Sequence, residues 1–211
     1  SGGGFVINGL SASDNLGWAV SGIGDINGDG LADMVVGVRS ADLLNANPAL
    51  SRSNNGAAYV VFGKTSTTAV DLAAVDAGNG GFKVYGAVAS DYLGYDIDGV
   101  GDFNGDGIND FVVSADKANN GGKSYLVFGK SDGASIDLAS LGTQGVVLTT
   151  TTTDGSDLVA AVGDVNGDGL ADVFVGAQMN SSVAANAGRG YVIYGTSTPG
   201  TSINLANVDN G

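Results

Sequence analysis

Apolar residues in this chain come in short bursts rather than helical stripes. The runs Asp33-Met34-Val35-Val36-Gly37-Val38 and Ala57-Ala58-Tyr59-Val60-Val61-Phe62 are almost continuously apolar and are bounded by Gly and polar residues. They are too short for helices, and β-branched and aromatic side chains dominate, so they predict strands. Unbroken apolar runs further predict strands covered on both faces. Two more strands are expected upstream, around Phe5 to Asn8 and around Trp18 to Gly24, which makes four in the first stretch of chain.

The pattern then repeats. Gly24-Asp25-Ile26-Asn27-Gly28-Asp29-Gly30-Leu31-Ala32-Asp33 returns as Gly101-Asp102-Phe103-Asn104-Gly105-Asp106-Gly107-Ile108-Asn109-Asp110. It returns again as Gly163-Asp164-Val165-Asn166-Gly167-Asp168-Gly169-Leu170-Ala171-Asp172. Each copy runs straight into an apolar strand. Tyr59 to Lys64 matches Tyr125 to Lys130 and Tyr191 to Gly195, and Val70-Asp71-Leu72-Ala73 matches Ile136-Asp137-Leu138-Ala139 and Ile203-Asn204-Leu205-Ala206. Landmarks recurring in one order divide the chain into repeats 1–79, 80–142 and 143–211. The first is longer because of a Ser-, Asn- and Ala-rich connection from Val38 to Asn55 that contains Pro48. Four antiparallel strands per unit of about 60 residues predict an all-β chain of propeller blades. A parallel β-helix would need much shorter coils.

Composition sharpens this reading. All 22 acidic residues are Asp, there is no Glu, and the net charge is −14. Asp suits turns and loop ligands, whereas Glu favours helices, so the charge is expected to sit in loops and attract cations. Eight basic residues are too few to neutralise a phosphate backbone, which excludes nucleic acid as an expected partner. The absence of Cys and His removes disulfides, thiolate nucleophiles, Ser-His-Asp chemistry and ordinary zinc sites together. No stretch approaches the ~20 apolar residues of a membrane span. Ser1-Gly2-Gly3-Gly4 carries no leader pattern, so a targeting segment is expected upstream or already removed.

The recurring loop carries the chemistry. Asp25, Asn27, Asp29 and Asp33 occupy its positions 1, 3, 5 and 9, Gly30 at position 6 permits a sharp turn, and the Leu31 carbonyl stands at position 7. The second loop supplies Asp102, Asn104, Asp106, Ile108 and Asp110, and the third Asp164, Asn166, Asp168, Leu170 and Asp172. Alternating oxygen donors in a tight loop suit Ca²⁺, and about three ions, one per repeat, are expected. The pattern is not an EF-hand, because position 12 is Val36, Val113 or Val175 rather than an acid. The competing reading, a solvated Asn/Asp/Gly turn, is weakened by three copies in register with strands.

These motifs resemble FG-GAP repeats, the blades of integrin α-subunit propellers and of many bacterial surface proteins. The Phe-Gly of that family is matched by Leu16-Gly17 and Leu93-Gly94, and its Gly-Ala-Pro more weakly by Val36-Gly37-Val38 and Val175-Gly176-Ala177. The second repeat departs there, with Val113-Ser114-Ala115, and the third shortens the segment before its loop and loses the Leu-Gly. The resemblance implies calcium ions that brace each blade, with ligand contacts elsewhere.

Several functions remain open: a calcium-braced extracellular or cell-surface module for adhesion or protein interaction, a structural subunit of a surface layer or filament, or the non-catalytic propeller of a secreted enzyme. The chain itself is not expected to be an enzyme, since it has no His base and its paired Asp residues belong to the loops. Closed propellers have four to eight blades, so further blades are expected from the same or another chain, including copies joined head to tail. Asp91, Asp96 and Asp98 read as a solvated connection, and Arg39, Arg52 and Lys117 as exposed. Trp18, Tyr59 and Tyr95 read as fillers of blade interfaces, and the run Thr149 to Thr153 as an exposed strand or linker. Asn180-Ser181-Ser182 fits a glycosylation pattern. The connection Arg39 to Asn55 is either a contact surface for a protein or surface ligand or a tolerated insertion.

Overall fold

A computed structural model describes residues 3–44, 51–118, 122–149 and 155–210; Pro48 and the threonines at 150–153 lie outside the described residues. The strands are β1 (Leu16–Gly24), β2 (Asp33–Val38), β3 (Ala57–Val61), β4 (Gly81–Tyr85), β5 (Leu93–Gly101), β6 (Asp110–Ala115) and β7 (Lys123–Val127). They continue with β8 (Ile136–Asp137), β9 (Gly145–Thr149), β10 (Ser156–Gly163), β11 (Asp172–Ala177), β12 (Arg189–Ile193) and β13 (Ser202–Asn204). A single helical turn, α1 (Leu72–Asp76), precedes β4 and is capped by Asp71, whose carboxylate accepts the Ala73 N–H at 2.9 Å. The chain is all-β.

Three sheets form. The first has the order β1-β2-β3-β4-β8, the second β5-β6-β7-β9-β13, and the third β10-β11-β12. Consecutive strands are antiparallel, while β8 and β13 lie parallel on the outer edges of β4 and β9. Each clip comes from the chain beyond the sheet it completes, so neighbouring sheets are tied together. The sheets also cut across the sequence repeats: β3 pairs with β4, from beyond residue 79, with Tyr59 opposite Lys83. The strand expected at Phe5 to Asn8 does not join β1. Its residues make one parallel bridge, Ile7 to Val70, because extended propensity does not by itself supply a partner edge.

The two faces of each sheet serve different neighbours. Ile23, Ile26, Val35 and Val60 of the first sheet pack against Leu93, Ile97, Phe111, Val113, Tyr125 and Val127 of the second. The opposite face of the second sheet, with Val100, Phe103, Val112 and Leu126, packs against Val159, Val173, Val175, Tyr191 and Ile193 of the third. Strand alternation sends successive side chains into different interfaces, which is why these runs are apolar throughout.

Polar pins cross the same interfaces and correct part of the sequence reading. Asp91 is buried, and Asp96 and Asp98 lie in β5 rather than in a solvated connection. Asp96 accepts the Val159 N–H and Asp98 the Ala161 N–H, each at 2.9 Å, and Ser21 Oγ donates to Asp98 at 3.1 Å. These carboxylates satisfy amides on the free edge of β10 that would otherwise lack partners. Arg39 and Arg52 are likewise not free. The Arg39 guanidinium lies 4.8 Å from the Trp18 ring centre and 4.6 Å from that of Tyr92, and it pairs with Asp116 at 2.8 Å. Arg52 pairs with Asp137 and the Ala87 carbonyl. Lys117 is exposed, as expected, and Tyr59 is core. Asn180 is buried and its Oδ1 accepts the Ser182 N–H at 3.0 Å, which is not the setting of an accessible glycosylation site.

Burial separates residues that look equivalent in sequence. Phe103 is fully buried between sheets, whereas Val165, at the same loop position, is 54% exposed. Phe103→Ala is expected to cost about 3–5 kcal/mol in denaturant unfolding, and Val165→Ala within about 0.5 kcal/mol. Tyr125 Oη is buried with no hydrogen-bond partner among the described residues. Tyr125→Phe is therefore expected to leave the unfolding midpoint unchanged or raise it, since it removes a desolvated hydroxyl and keeps the ring.

Candidate metal centres

Each aspartate loop joins the first two strands of its sheet: β1 to β2, β5 to β6, and β10 to β11. Two glycines per loop take left-handed backbone, Gly28 and Gly30 in the first at φ 79° and 86°. A Cβ there would meet nothing within 4 Å, so the demand for glycine is conformational rather than steric. The turn therefore needs position 4 as well as the position 6 singled out from sequence.

The position-1 carboxylate organises the curl. Asp25 Oδ1 accepts the N–H groups of Gly28 and Asp29 at 2.7 and 3.1 Å, and Oδ2 that of Gly30 at 2.8 Å. Asp102 and Asp164 repeat the set at 2.6, 3.1 and 2.8 Å. The Gly30 N–H, followed by others of the loop, holds Asp25 below the usual carboxylate range, and the Gly169 N–H leads the same effect at Asp164. At position 3, Asn27, Asn104 and Asn166 accept the position-5 N–H at 2.8, 2.9 and 2.9 Å and donate to the position-5 carboxylate at 3.1, 2.9 and 2.8 Å. At position 5, Asp29, Asp106 and Asp168 accept the N–H of Leu31, Ile108 and Leu170.

Position 9 differs in kind. Asp33, Asp110 and Asp172 are buried, at 3%, 0% and 0% exposure. One oxygen of each accepts the position-2 N–H, from Ile26, Phe103 and Val165 at 2.8, 2.9 and 2.8 Å. The other accepts the N–H of the glycine after the third strand: Gly63 at 2.6 Å, Gly129 at 2.9 Å and Gly195 at 2.8 Å. This carboxylate latches the loop to a strand two elements away. Burial raises Asp110 to about 7, against the opposing pull of the Gly129 and Phe103 amides.

The latch partner was not singled out from the sequence, although the Gly after each Phe62-like position recurs. A Cβ at Gly63 would sit 2.5 Å from the Ala32 carbonyl oxygen, so the recurrence reflects a close backbone approach. Lys83 was also passed over. It is buried, with Nζ 3.7 Å from Asp76, and Tyr85 donates to the same carboxylate at 2.7 Å.

Among the described residues no three carboxylates converge on one point: the oxygens at positions 1 and 5 face amides of their own loop, and those at position 9 divide between the loop and the glycine after the third strand. Positions 1, 3, 5 and 7 nevertheless share one short, largely exposed curl, with position 9 closing its inner side. The set contains only oxygen donors, three of them carboxylates, which suits a hard divalent cation better than a metal that prefers imidazole or thiolate.

Fold and loops define an all-β protein of sheet repeats, each organised around an aspartate loop. The FG-GAP repeat model matches residues 16–61 and 158–193, and the FG-GAP-like repeat model residues 102–175. The chain belongs to the FG-GAP repeat family. No curated protein matches it.

In chelator, Asp110→Ala is expected to lower the unfolding free energy by about 3 kcal/mol, because one buried and one half-buried amide lose their acceptor. Asp106→Ala should cost under about 1 kcal/mol under the same conditions, since it lies at the surface. Equal losses in parallel denaturant titrations would contradict this division of labour.

Proposed function

We propose that the chain is a calcium-braced β-propeller segment that serves as an extracellular or cell-surface interaction module. In this reading the three sheets are blades of four antiparallel strands, with the third completed from elsewhere. The observation that carries it is the threefold recurrence of one oxygen-rich loop, at the same place in each sheet and with hydrogen bonds that match within 0.3 Å. Asp25, Asn27, Asp29, the Leu31 carbonyl and Asp33 would hold the first ion. Asp102, Asn104, Asp106, Ile108 and Asp110 would hold the second, and Asp164, Asn166, Asp168, Leu170 and Asp172 the third.

A bound cation would offset the mutual repulsion of three carboxylates and hold the curl against the latch. An extracellular setting supplies calcium at the concentrations that modest loop sites need. The absence of His and Cys favours a binding or structural role over catalysis. A second reading, a structural subunit that assembles through its sheets, is favoured by the exposed apolar residues on the two end sheets.

Calorimetric titration is expected to give about three calcium ions per chain. Asp29→Ala, Asp106→Ala and Asp168→Ala should each remove one ion and spare the other two. Each site filled at 100 times its Kd adds about 2.7 kcal/mol, so chelation should lower Tm substantially. An unchanged Tm in chelator would sink the calcium reading.

A further inference from the structure

An Asn followed by Gly can modify itself, because the glycine nitrogen has no neighbouring side chain to shield it and can attack the Asn side-chain carbonyl. The chain holds eight such pairs. Six lie wholly within the described residues, beginning at Asn8, Asn27, Asn55, Asn79, Asn104 and Asn166.

Four of these six are held. At Asn27, Asn104 and Asn166 both ends of the side-chain amide are bonded, Oδ1 to the N–H and Nδ2 to the carboxylate of the position-5 Asp. The nitrogen that would attack is also engaged: Gly28, Gly105 and Gly167 donate their N–H to the position-1 carboxylate at 2.7, 2.6 and 2.6 Å. Stripping that proton would set a second negative charge beside the carboxylate, and Coulomb repulsion opposes it. Asn55 is buried, accepts the Leu43 N–H at 2.8 Å and donates to the Gly86 carbonyl at 3.1 Å. Its Gly56 N–H is taken by the Ala41 carbonyl at 3.0 Å.

Asn79-Gly80 is different. It sits in the exposed turn between α1 and β4. Neither the Asn79 side chain nor the Gly80 N–H has a hydrogen-bond partner among the described residues. A Cβ built at Gly80 would meet nothing within 4 Å, so the approach is open. The matching turn of the second sheet is placed by the Phe128 N–H on the Gln144 carbonyl, as the Phe62 N–H is on that of Gly80. That turn is exposed too, although its sheet has a neighbour on either side, so openness belongs to the turn itself. There it reads Thr143-Gln144 and lacks the reactive pair. Asn8 is also exposed, but it lies in no strand.

We propose that Asn79 is a site of spontaneous deamidation, left reactive by the fold where the loop asparagines are guarded. The Gly80 nitrogen loses its proton and bonds to Asn79 Cγ, the Cγ–Nδ2 bond breaks, and the amide nitrogen leaves as ammonia. Water then opens the cyclic imide at either carbonyl, giving aspartate or isoaspartate. Isoaspartate adds a methylene to the main chain just ahead of β4. Little slack exists there, since a Cβ at Gly81 would lie 2.0 Å from the Val60 carbonyl oxygen. The Phe62 N–H bond to the Gly80 carbonyl, 3.0 Å long, and the adjoining end of the β3–β4 ladder are displaced by the change. The hydrogen bonds that curl each aspartate loop are the same ones that protect its Asn, with no bound ion required.

The test ages the chain at neutral pH, in calcium and in chelator, at a temperature where circular dichroism shows it folded, beside a sample unfolded in urea. Trypsin places Asn55, Asn79, Asn104 and Asn166 on separate peptides, and mass spectrometry follows the conversion of amide to acid on each. A loop Asn must give up three hydrogen bonds to react, and each tenfold in rate is about 1.4 kcal/mol of barrier, so Asn79 is expected to convert at least about tenfold faster than the other three. In urea the spread should collapse. A folded-state rate at Asn79 no higher than at Asn104 or Asn166 overturns the proposal, and so does a spread that persists in urea, which would trace it to local sequence. The aged parent is expected to melt below aged Asn79→Gln, whose longer side chain closes an imide slowly; equal Tm values overturn the link to the β3–β4 ladder.

Discussion

A buried carboxylate at the end of each aspartate loop holds the architecture together. Asp33, Asp110 and Asp172 each accept one amide from the start of their own loop and one from the glycine that ends the third strand. A buried carboxyl group in that position is tolerable only because two donors are fixed against it. The latch sets where the loop begins, how sharply it curls and how the third strand lies beside the second. Losing the acceptor would leave one buried and one half-buried amide unsatisfied, so the loop and the sheet stand or fall together.

Once the loop is fixed, its second residue is aimed away from its own sheet. Ile26 and Phe103 become part of the next sheet's core, and the same strands send Asp96 and Asp98 across to β10. A sheet of this kind cannot bury both faces alone: the first copy of the motif fills the second sheet, and the second copy fills the third. The stability of one repeat is thus shared with the adjacent repeat, as in other quasi-one-dimensional assemblies. The aspartate curl and the packing interface are two sides of one nine-residue loop.

Much of the fold was legible in the chain. β2 coincides with the strand expected at Asp33 to Val38, and β3 differs by one residue from that expected at Ala57 to Phe62, because dense β-branched runs leave few alternatives. The loops were legible because Gly, Asn and Asp carry local conformational preferences that act within a few residues. Asp96 and Asp98 were misread, because a charged residue in a short segment looks solvated until a strand 63 residues later brings its amides alongside; Asp91 was misread because its burial comes from the surrounding fold, its own hydrogen bond being the local one from Val88. Arg39 and Arg52 were misread for the same reason, their partners Asp116 and Asp137 lying 77 and 85 residues away.

The sequence by itself determined the all-β class and the threefold recurrence of one oxygen-rich loop, since these follow from local composition and spacing. Tertiary structure decided which strand closes which sheet, as when β4 rather than Phe5–Asn8 covers the first. It also decided that position 9 is a latch and that Ile26, Phe103 and Val165 meet different surroundings. Those outcomes depend on which surfaces come into contact, and burial is a property of the neighbour as much as of the residue.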